Sequence, residues 1–122
     1  MNYEEFNELC SSFQATSYLV QWGGSHVWKV GGKVFAIGGW EKSERPAFTF
    51  KTSEQNFYFL RDEPGYRAAP YFASRGMKWI QQYDVSGKKD EELKYYLKES
   101  HYIVSLGLSK NKQKELSLNQ NE

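Results

Sequence analysis

Few residues of this sequence have the type and spacing that catalysis or metal binding requires. The histidines His26 and His101 lie far apart, and neither has a second His, Cys or Asp at ligand spacing. Ser100 and His101 are adjacent in a predicted helix, where their side chains point about 100° apart and form no catalytic pair. Cys10 is the only cysteine, which excludes an internal disulfide and a multi-cysteine zinc site. The sequence therefore predicts no catalytic residue, no metal ligand and no cofactor.

The acidic clusters offer no acid–base pair either. Asp62-Glu63 and Asp90-Glu91-Glu92 fall at the ends of predicted helices, where solvation and the helix dipole account for them. The sequence patterns of nucleotide-binding loops, zinc proteases and serine hydrolases are absent. We therefore expect a protein that is not an enzyme, and the sequence identifies no small-molecule substrate.

Basic residues are concentrated in two segments that are also rich in aromatic residues. Although the net charge is only +1, residues 26–51 carry five Lys or Arg against two Glu, and residues 64–83 carry three without an acid. Basic side chains that alternate with aromatic ones can bind phosphates and stack on bases. The aromatic residues in these two segments include Trp28, Trp40, Tyr66, Tyr71 and Trp79. The alternative is a sheet whose exposed face simply carries lysines, and the sequence leaves both interpretations open.

The elements that position these segments fit into one domain. The chain has 122 residues, of which 39% are hydrophobic and 17% aromatic, enough to fill a core. No apolar run approaches the ~18 residues of a membrane-spanning helix. Residues 1–5 are acidic and lack the pattern of a signal peptide. We therefore expect a cytoplasmic protein.

Three helices are predicted. The first spans Asn2 to Phe13, begins with a capping box of Asn2 and Glu5, and buries a stripe of Phe6, Leu9, Cys10 and Phe13. The second begins at Thr52, capped with Gln55, and turns Phe57 and Leu60 inward before Pro64-Gly65. Asp90 caps the third, whose buried stripe comprises Leu93, Leu97, Ser100, Val104 and Leu108.

Between the first two helices the sequence predicts a β-hairpin. Gly31-Gly32 supplies the positive φ angles of a two-residue turn, which pairs Val30 with Lys33, Trp28 with Phe35 and His26 with Ile37. This register places Trp28, Val30, Phe35 and Ile37 on the core face, and Val27, Lys29, Val34 and Ala36 on the other. Further strands are predicted over 18–22, 47–51 and 78–83, whereas 66–76 is expected to be irregular or briefly helical.

These elements predict an α+β fold: a single-domain α/β sandwich whose antiparallel sheet packs on the N- and C-terminal helices. We expect the domain to cover residues 1–114 and a polar C-terminal tail to cover 115–122, frayed from Leu116 on. The side chains expected in the core are Trp28, Phe35, Phe48, Leu93, Leu97 and Val104.

Several segments, in order, resemble the MmcQ/YjbR family. Residues 30–36 (Val-Gly-Gly-Lys-Val-Phe-Ala) resemble its hairpin, and Phe50-Lys51-Thr52 resembles its strand-to-helix junction. Residues 64–71 resemble its Pro-Gly segment, 78–80 its tryptophan strand, and 92–104 its closing helix. The resemblance spans about residues 3 to 114. Two departures are Ser12 to Ala15, where many members carry Pro-Gly, and the loop from Gly38 to Arg45.

The resemblance implies a bacterial-type protein with a CyaY-like (frataxin-like) topology, a double-wing sheet and DNA binding. Combined with the two basic segments, it predicts weak, salt-dependent DNA contacts from five side chains: Lys29, Lys33, Arg67, Arg75 and Lys78. The alternative is a protein–protein adaptor that uses exposed aromatics near Trp40 and Tyr66. Frataxins hold an iron-binding ridge on the first helix, but Glu4, Glu5 and Glu8 are too sparse for a site of several converging oxygens. We interpret them as a solvated helix face.

Overall fold

The structure is a computed structural model that describes residues 1–39, 45–83 and 89–120. A six-stranded antiparallel sheet with the order β1-β2-β3-β4-β6-β5 lies at its centre. The strands are β1 (Thr16–Gln21), β2 (Ser25–Val30), β3 (Lys33–Gly38), β4 (Phe48–Lys51), β5 (Tyr66–Ala68) and β6 (Trp79–Gln82). The helices are α1 (Tyr3–Ser11), α2 (Glu54–Leu60), α3 (Asp90–Leu106) and α4 (Lys110–Glu115), with a short 3-10 turn at Ala73–Arg75.

The core lies between the helices and one face of the sheet, which confirms the predicted α+β sandwich. Helix α1 contacts β1 to β3, α3 contacts β2 to β4, and α2 contacts β5 and β6. All six side chains expected in the core are buried there: Trp28, Phe35, Phe48, Leu93, Leu97 and Val104. The capping box of Asn2 and Glu5 is also present. Within the described residues, no helix is both long and apolar enough to cross a membrane.

The hairpin turn packs against the end of α3. Gly31 and Gly32 have φ angles of 56° and 89°, as a two-residue turn requires. A Cβ atom on Gly31 would lie 2.6 Å from Leu108 Cδ1, so a larger residue here would have to displace the Leu108 side chain. Lys33 Nζ donates to the carbonyl oxygen of Gly107 at 3.0 Å, where the negative end of the α3 dipole favours a cation. The turn is thereby fixed to the C-terminal end of α3.

The predicted hairpin register is wrong beyond the first residues of the turn. Val30 pairs with Lys33 as expected, but a β-bulge inserts Phe35, so Trp28 pairs with Ala36 and His26 with Gly38. Phe35 and Ala36 both join the core cluster. Ile37, expected in the core, alternates to the face away from the helices and is buried there.

Beside the bulge, a side chain from α3 forms hydrogen bonds to both β3 and β4. In the β3–β4 ladder, Ala36 pairs with Phe50, which would bring the Lys51 amide opposite the Phe35 carbonyl. The Ser100 hydroxyl stands between them. It donates to Phe35 O at 2.6 Å and accepts from Lys51 N at 2.9 Å. Ser100 is fully buried, so its hydroxyl bonds to these two backbone groups in place of water.

Helix starts differ from the prediction at two places. Ser53, not Thr52, caps α2 by accepting from Asn56 N. Thr52 is instead buried, and its N–H donates to the carbonyl of Lys78. Asp90 lies inside the first turn of α3, where its carboxylate accepts from the Met1 ammonium at 2.6 Å. In both cases the residue that the local sequence predicts as a helix cap instead binds a partner that is distant in the sequence.

Two segments expected to be irregular are ordered. Residues 66–68 form the edge strand β5, because they pair with β6. The chain beyond residue 115 is not frayed where the structure describes it, since Leu118 is buried in the core cluster and Leu116 packs against that cluster. Apolar side chains at two positions therefore hold the polar C-terminal segment to the domain.

His101 lies on the flank of α3 between two aromatic rings. The centroid of its ring is 5.3 Å from that of Phe13 and 5.2 Å from that of Phe35, and Nε2 donates to Gln14 O at 2.8 Å. Burial lowers the pKa of His101, and the bond to Gln14 offsets this in part. The imidazole therefore packs in its neutral form.

Replacing Ser100 with Ala removes the bridge and leaves the Phe35 carbonyl and the Lys51 amide without partners. We expect S100A to lower the free energy of unfolding by about 2 to 3 kcal/mol, measured by urea denaturation. Ser105 is a control in the same helix, because it is also buried but its hydroxyl donates to the carbonyl of Tyr102 within that helix and accepts from the exposed Asn119 side chain, so it bridges no strands. Equal losses in S100A and S105A would contradict the bridging role.

Protonation of His101 should destabilise the fold. Because the folded pKa lies below the ordinary value of 6.5, the unfolded chain binds the proton more readily. The free energy of unfolding should therefore fall as the pH drops from about 7 to about 5. In H101Q this decrease should be smaller, as measured by urea denaturation at several pH values. The same pH dependence in both chains would show that His101 is not responsible.

Candidate nucleic-acid interface

The predicted contact residues lie on different sides of the molecule. Lys29 alternates with core side chains of β2, and Arg67 with those of β5, so both are on the face away from the helices. Four strand spacings separate β2 from β5, a distance of about 19 Å. Lys29 and Arg67 therefore share a face but lie far apart on it, and Lys33 is bound to Gly107 at the end of α3.

Lys78 and Arg75 lie close together in the connection between β5 and β6. Lys78 Nζ is 5.2 Å from the ring centroids of both Phe57 and Tyr58 on α2. Arg75 Nη1 donates to the Tyr71 hydroxyl at 2.8 Å, and its guanidinium carbon is 5.1 Å from that ring centroid. Arg75 and Lys78 are three positions apart along the chain, so their Cα atoms are at most about 11 Å apart.

A third cation, missed by the sequence analysis, joins them. The guanidinium carbon of Arg61 is 4.7 Å from the Tyr58 ring centroid, so Arg61 and Lys78 share this ring. Tyr58 and Arg61 are three residues apart on a predicted helix, and this spacing could have predicted their contact. We call the combined surface the basic lobe and define it by Tyr58, Arg61, Tyr71, Arg75 and Lys78.

Among the described residues, the cations of the basic lobe have little pairing with carboxylates. In the described part of the chain, neither Arg75 nor Lys78 has a carboxylate oxygen within 4.0 Å. Arg61 Nε is 3.8 Å from Asp62 Oδ2, but both side chains are well exposed, and such pairs contribute little. Aromatic faces hold the cations in place without cancelling their charge. The lobe therefore presents positive charge beside the exposed rings of Tyr58 and Tyr71.

The sheet face away from the helices is not an open binding platform. Val27, Ile37, Thr49 and Gln81 form one cross-strand row, and all four are fully buried. Gln81 Nε2 donates to Thr49 Oγ1 at 3.2 Å. Its Oε1 accepts from Arg67 Nε at 3.0 Å and from Nη2 at 2.8 Å. Arg67 also lies over the Tyr83 ring at 4.5 Å. The guanidinium of Arg67 thus donates the hydrogen bonds that the buried side-chain oxygen of Gln81 accepts.

The aromatics expected to serve a protein adaptor are placed differently. Tyr66 is buried in the core cluster, so it is not an exposed contact, and Trp40 and Lys42 lie outside the described residues. The exposed aromatics of the described chain include Phe59 on α2 and, on α3, Tyr95 and Tyr102.

Cys10 and His26 are embedded in the fold. Burial raises the pKa of the Cys10 thiol, which disfavours a reactive thiolate. His26 Nδ1 is 2.8 Å from the Tyr18 hydroxyl and 3.3 Å from Asn7 Nδ2, so a half-buried polar cluster holds its ring. Across the described ranges, no three His, Cys, Asp or Glu side chains are grouped so that they could hold a metal ion.

Comparisons with known proteins agree with this architecture. The crystal structure of Deinococcus radiodurans protein DR2400, which carries a DUF419 domain, superposes with a TM-score of 0.83 at 17% sequence identity. The match covers 99% of this chain and 91% of that one, and it shows the shared fold. No curated protein matches the sequence. The family model YjbR matches residues 11–103, most of the chain, and the protein therefore belongs to the YjbR family.

Proposed function

We propose that this YjbR-family protein is a cytoplasmic, non-enzymatic protein that binds nucleic acid through its basic lobe. The observation that carries the proposal is the placement of Arg61, Arg75 and Lys78 over aromatic rings instead of against buried carboxylates. Because these cations keep their charge, they can contact phosphates, and exposed Tyr58 and Tyr71 can stack on bases.

A double-wing protein has two projections, and the basic lobe would lie on the second of them. The hairpin turn, which would be the first wing, packs on Leu108 through Gly31 and engages Gly107 through Lys33. The β5–β6 connection, which would be the second, carries Arg75 and Lys78 beside the rings of Tyr71 and Phe57. We therefore place the contact surface at the second projection, and not across the five residues predicted from sequence.

The geometry also favours a single strand over a duplex. Stacking on tyrosine requires unpaired bases, whereas a duplex offers the lobe only its phosphates. Three cations are few, and contacts to phosphate alone carry no sequence information. We expect DNA binding to be weak, to have little sequence preference and to be strongly salt-dependent.

Fluorescence anisotropy with a labelled single-stranded oligonucleotide tests this proposal at two or more salt concentrations. Three phosphate contacts predict a slope of log affinity against log salt of about −2, because each contact to a single strand contributes about 0.7. The variant R75A/K78A should lose at least about tenfold in affinity at low salt, and its slope should shrink by about 1.4.

The control removes the same charge elsewhere. In K29A/K112A, Lys29 comes from the far sheet face and Lys112 from α4, where it lies 3.9 Å from Glu115. This double variant should bind almost as the wild type does. Equal losses in both double variants would show that net charge, and not the lobe, governs binding.

A protein partner is the second candidate, favoured by a stripe on α3. Tyr95, Tyr102 and Leu106 are exposed at spacings of seven and four residues, which place them along one side of the helix. Absence of any oligonucleotide binding at low salt would favour this candidate over the first.

A further inference from the structure

The first strand of the sheet has an open edge. β1 pairs with β2 on one side, and no strand of the described chain lies on its other side. Its six residues carry no charge, and Tyr18 and Val20 are 43% and 57% exposed. A long, uncharged edge strand with exposed apolar side chains is a template for pairing with another strand.

The backbone polar groups of this edge can be assigned from the ladder. Gly31 N donates to Ala15 O at 3.1 Å, so Ala15 directs its polar groups toward β2. Because the direction alternates along an antiparallel strand, Thr16, Tyr18 and Val20 direct theirs toward the open edge. In the described chain these outward groups have no backbone partner.

The opposite edge of the sheet is protected in the usual ways. β5 has only three residues, carries the charged Arg67, and lies between Pro64 and Pro70. Short length, a charge and neighbouring prolines all prevent strand addition. These protections are missing from β1, which is twice as long.

We propose that β1 pairs antiparallel with β1 of a second copy of this chain, joining the two sheets across a twofold axis. A second copy fits because the strand is uncharged, so self-pairing places no like charges opposite each other. The residues whose backbone groups point to the open edge must lie opposite one another in the pair. A twofold axis at Leu19 produces this arrangement. Tyr18 of each copy then lies opposite Val20 of the other, which is a favourable aromatic–β-branched pair.

The surroundings of β1 are compatible with a second copy. On α1, Glu5 and Glu8 line a hollow shared with Lys94 of α3, so this negative charge is turned toward α3. The basic lobe lies at the β5–β6 end of the sheet, far from β1. Pairing would therefore leave both lobes accessible, and the inference does not depend on the proposed function.

Sedimentation velocity over a range of concentrations tests the pairing. We expect a wild-type dimer at high concentration, and monomers for V20K and for V20E alone, because each variant places two like charges diagonally across the axis, about 7 to 8 Å apart. An equimolar mixture of V20K and V20E should restore the dimer. The control L106K, an exposed apolar position on α3, should dimerise as the wild type does. A wild type that stays monomeric at millimolar concentration, or a mixture that stays monomeric, would overturn the proposal.

Amide hydrogen exchange of the wild-type chain gives a result that does not depend on the folding of any variant. The amides of Tyr18 and Val20 should exchange more slowly as the concentration rises. The amide of Leu19, which faces β2, should change little. Exchange at Tyr18 and Val20 that is independent of concentration contradicts the pairing.

Discussion

The hydroxyl of Ser100 connects the longest helix to the middle of the sheet, and much of the structure depends on this contact. A bulge in the β2–β3 pairing inserts Phe35 into β3, and Ser100 connects β3 to β4 by bonding to Phe35 and Lys51. The bulge turns Phe35 and Ala36 together toward the helices and sends Ile37 to the opposite face. Without a buried hydroxyl at this place, two backbone groups would be left without partners inside the core. The register of the central strands and the position of α3 are therefore set together.

The segments that resemble the YjbR family have structural roles around this contact. The turn at Gly31 packs on Leu108, and Lys33 binds the end of α3. The Lys51-Thr52 junction uses one amide to bind Ser100 and the next to bind the carbonyl of Lys78. Because these residues hold the fold together, likeness in them indicates shared architecture and does not by itself locate a binding surface.

The sequence was informative where a local pattern decides the structure. The glycine pair located the hairpin, and helical spacing identified the buried side of α3. The bulge could not be predicted, because the apolar pattern of β3 is the same with or without it and Ser100 is 65 residues away from Phe35. β5 was missed because three residues between prolines have little strand preference of their own and depend on pairing with β6. Leu118 was missed because one apolar side chain in a polar segment carries no periodicity.

The candidate site was predictable only in part. The net charge of a sequence segment does not tell on which side of the sheet each side chain lies. Arg67 and Lys78 belong to one basic segment, yet one binds buried Gln81 and the other lies over Tyr58. The most direct test of the account is chemical-shift mapping of the amide resonances during titration with a single-stranded oligonucleotide. The account predicts shifts concentrated at residues 58–61 and 71–78. Shifts centred on Lys29 and β2, with the lobe unchanged, would contradict it.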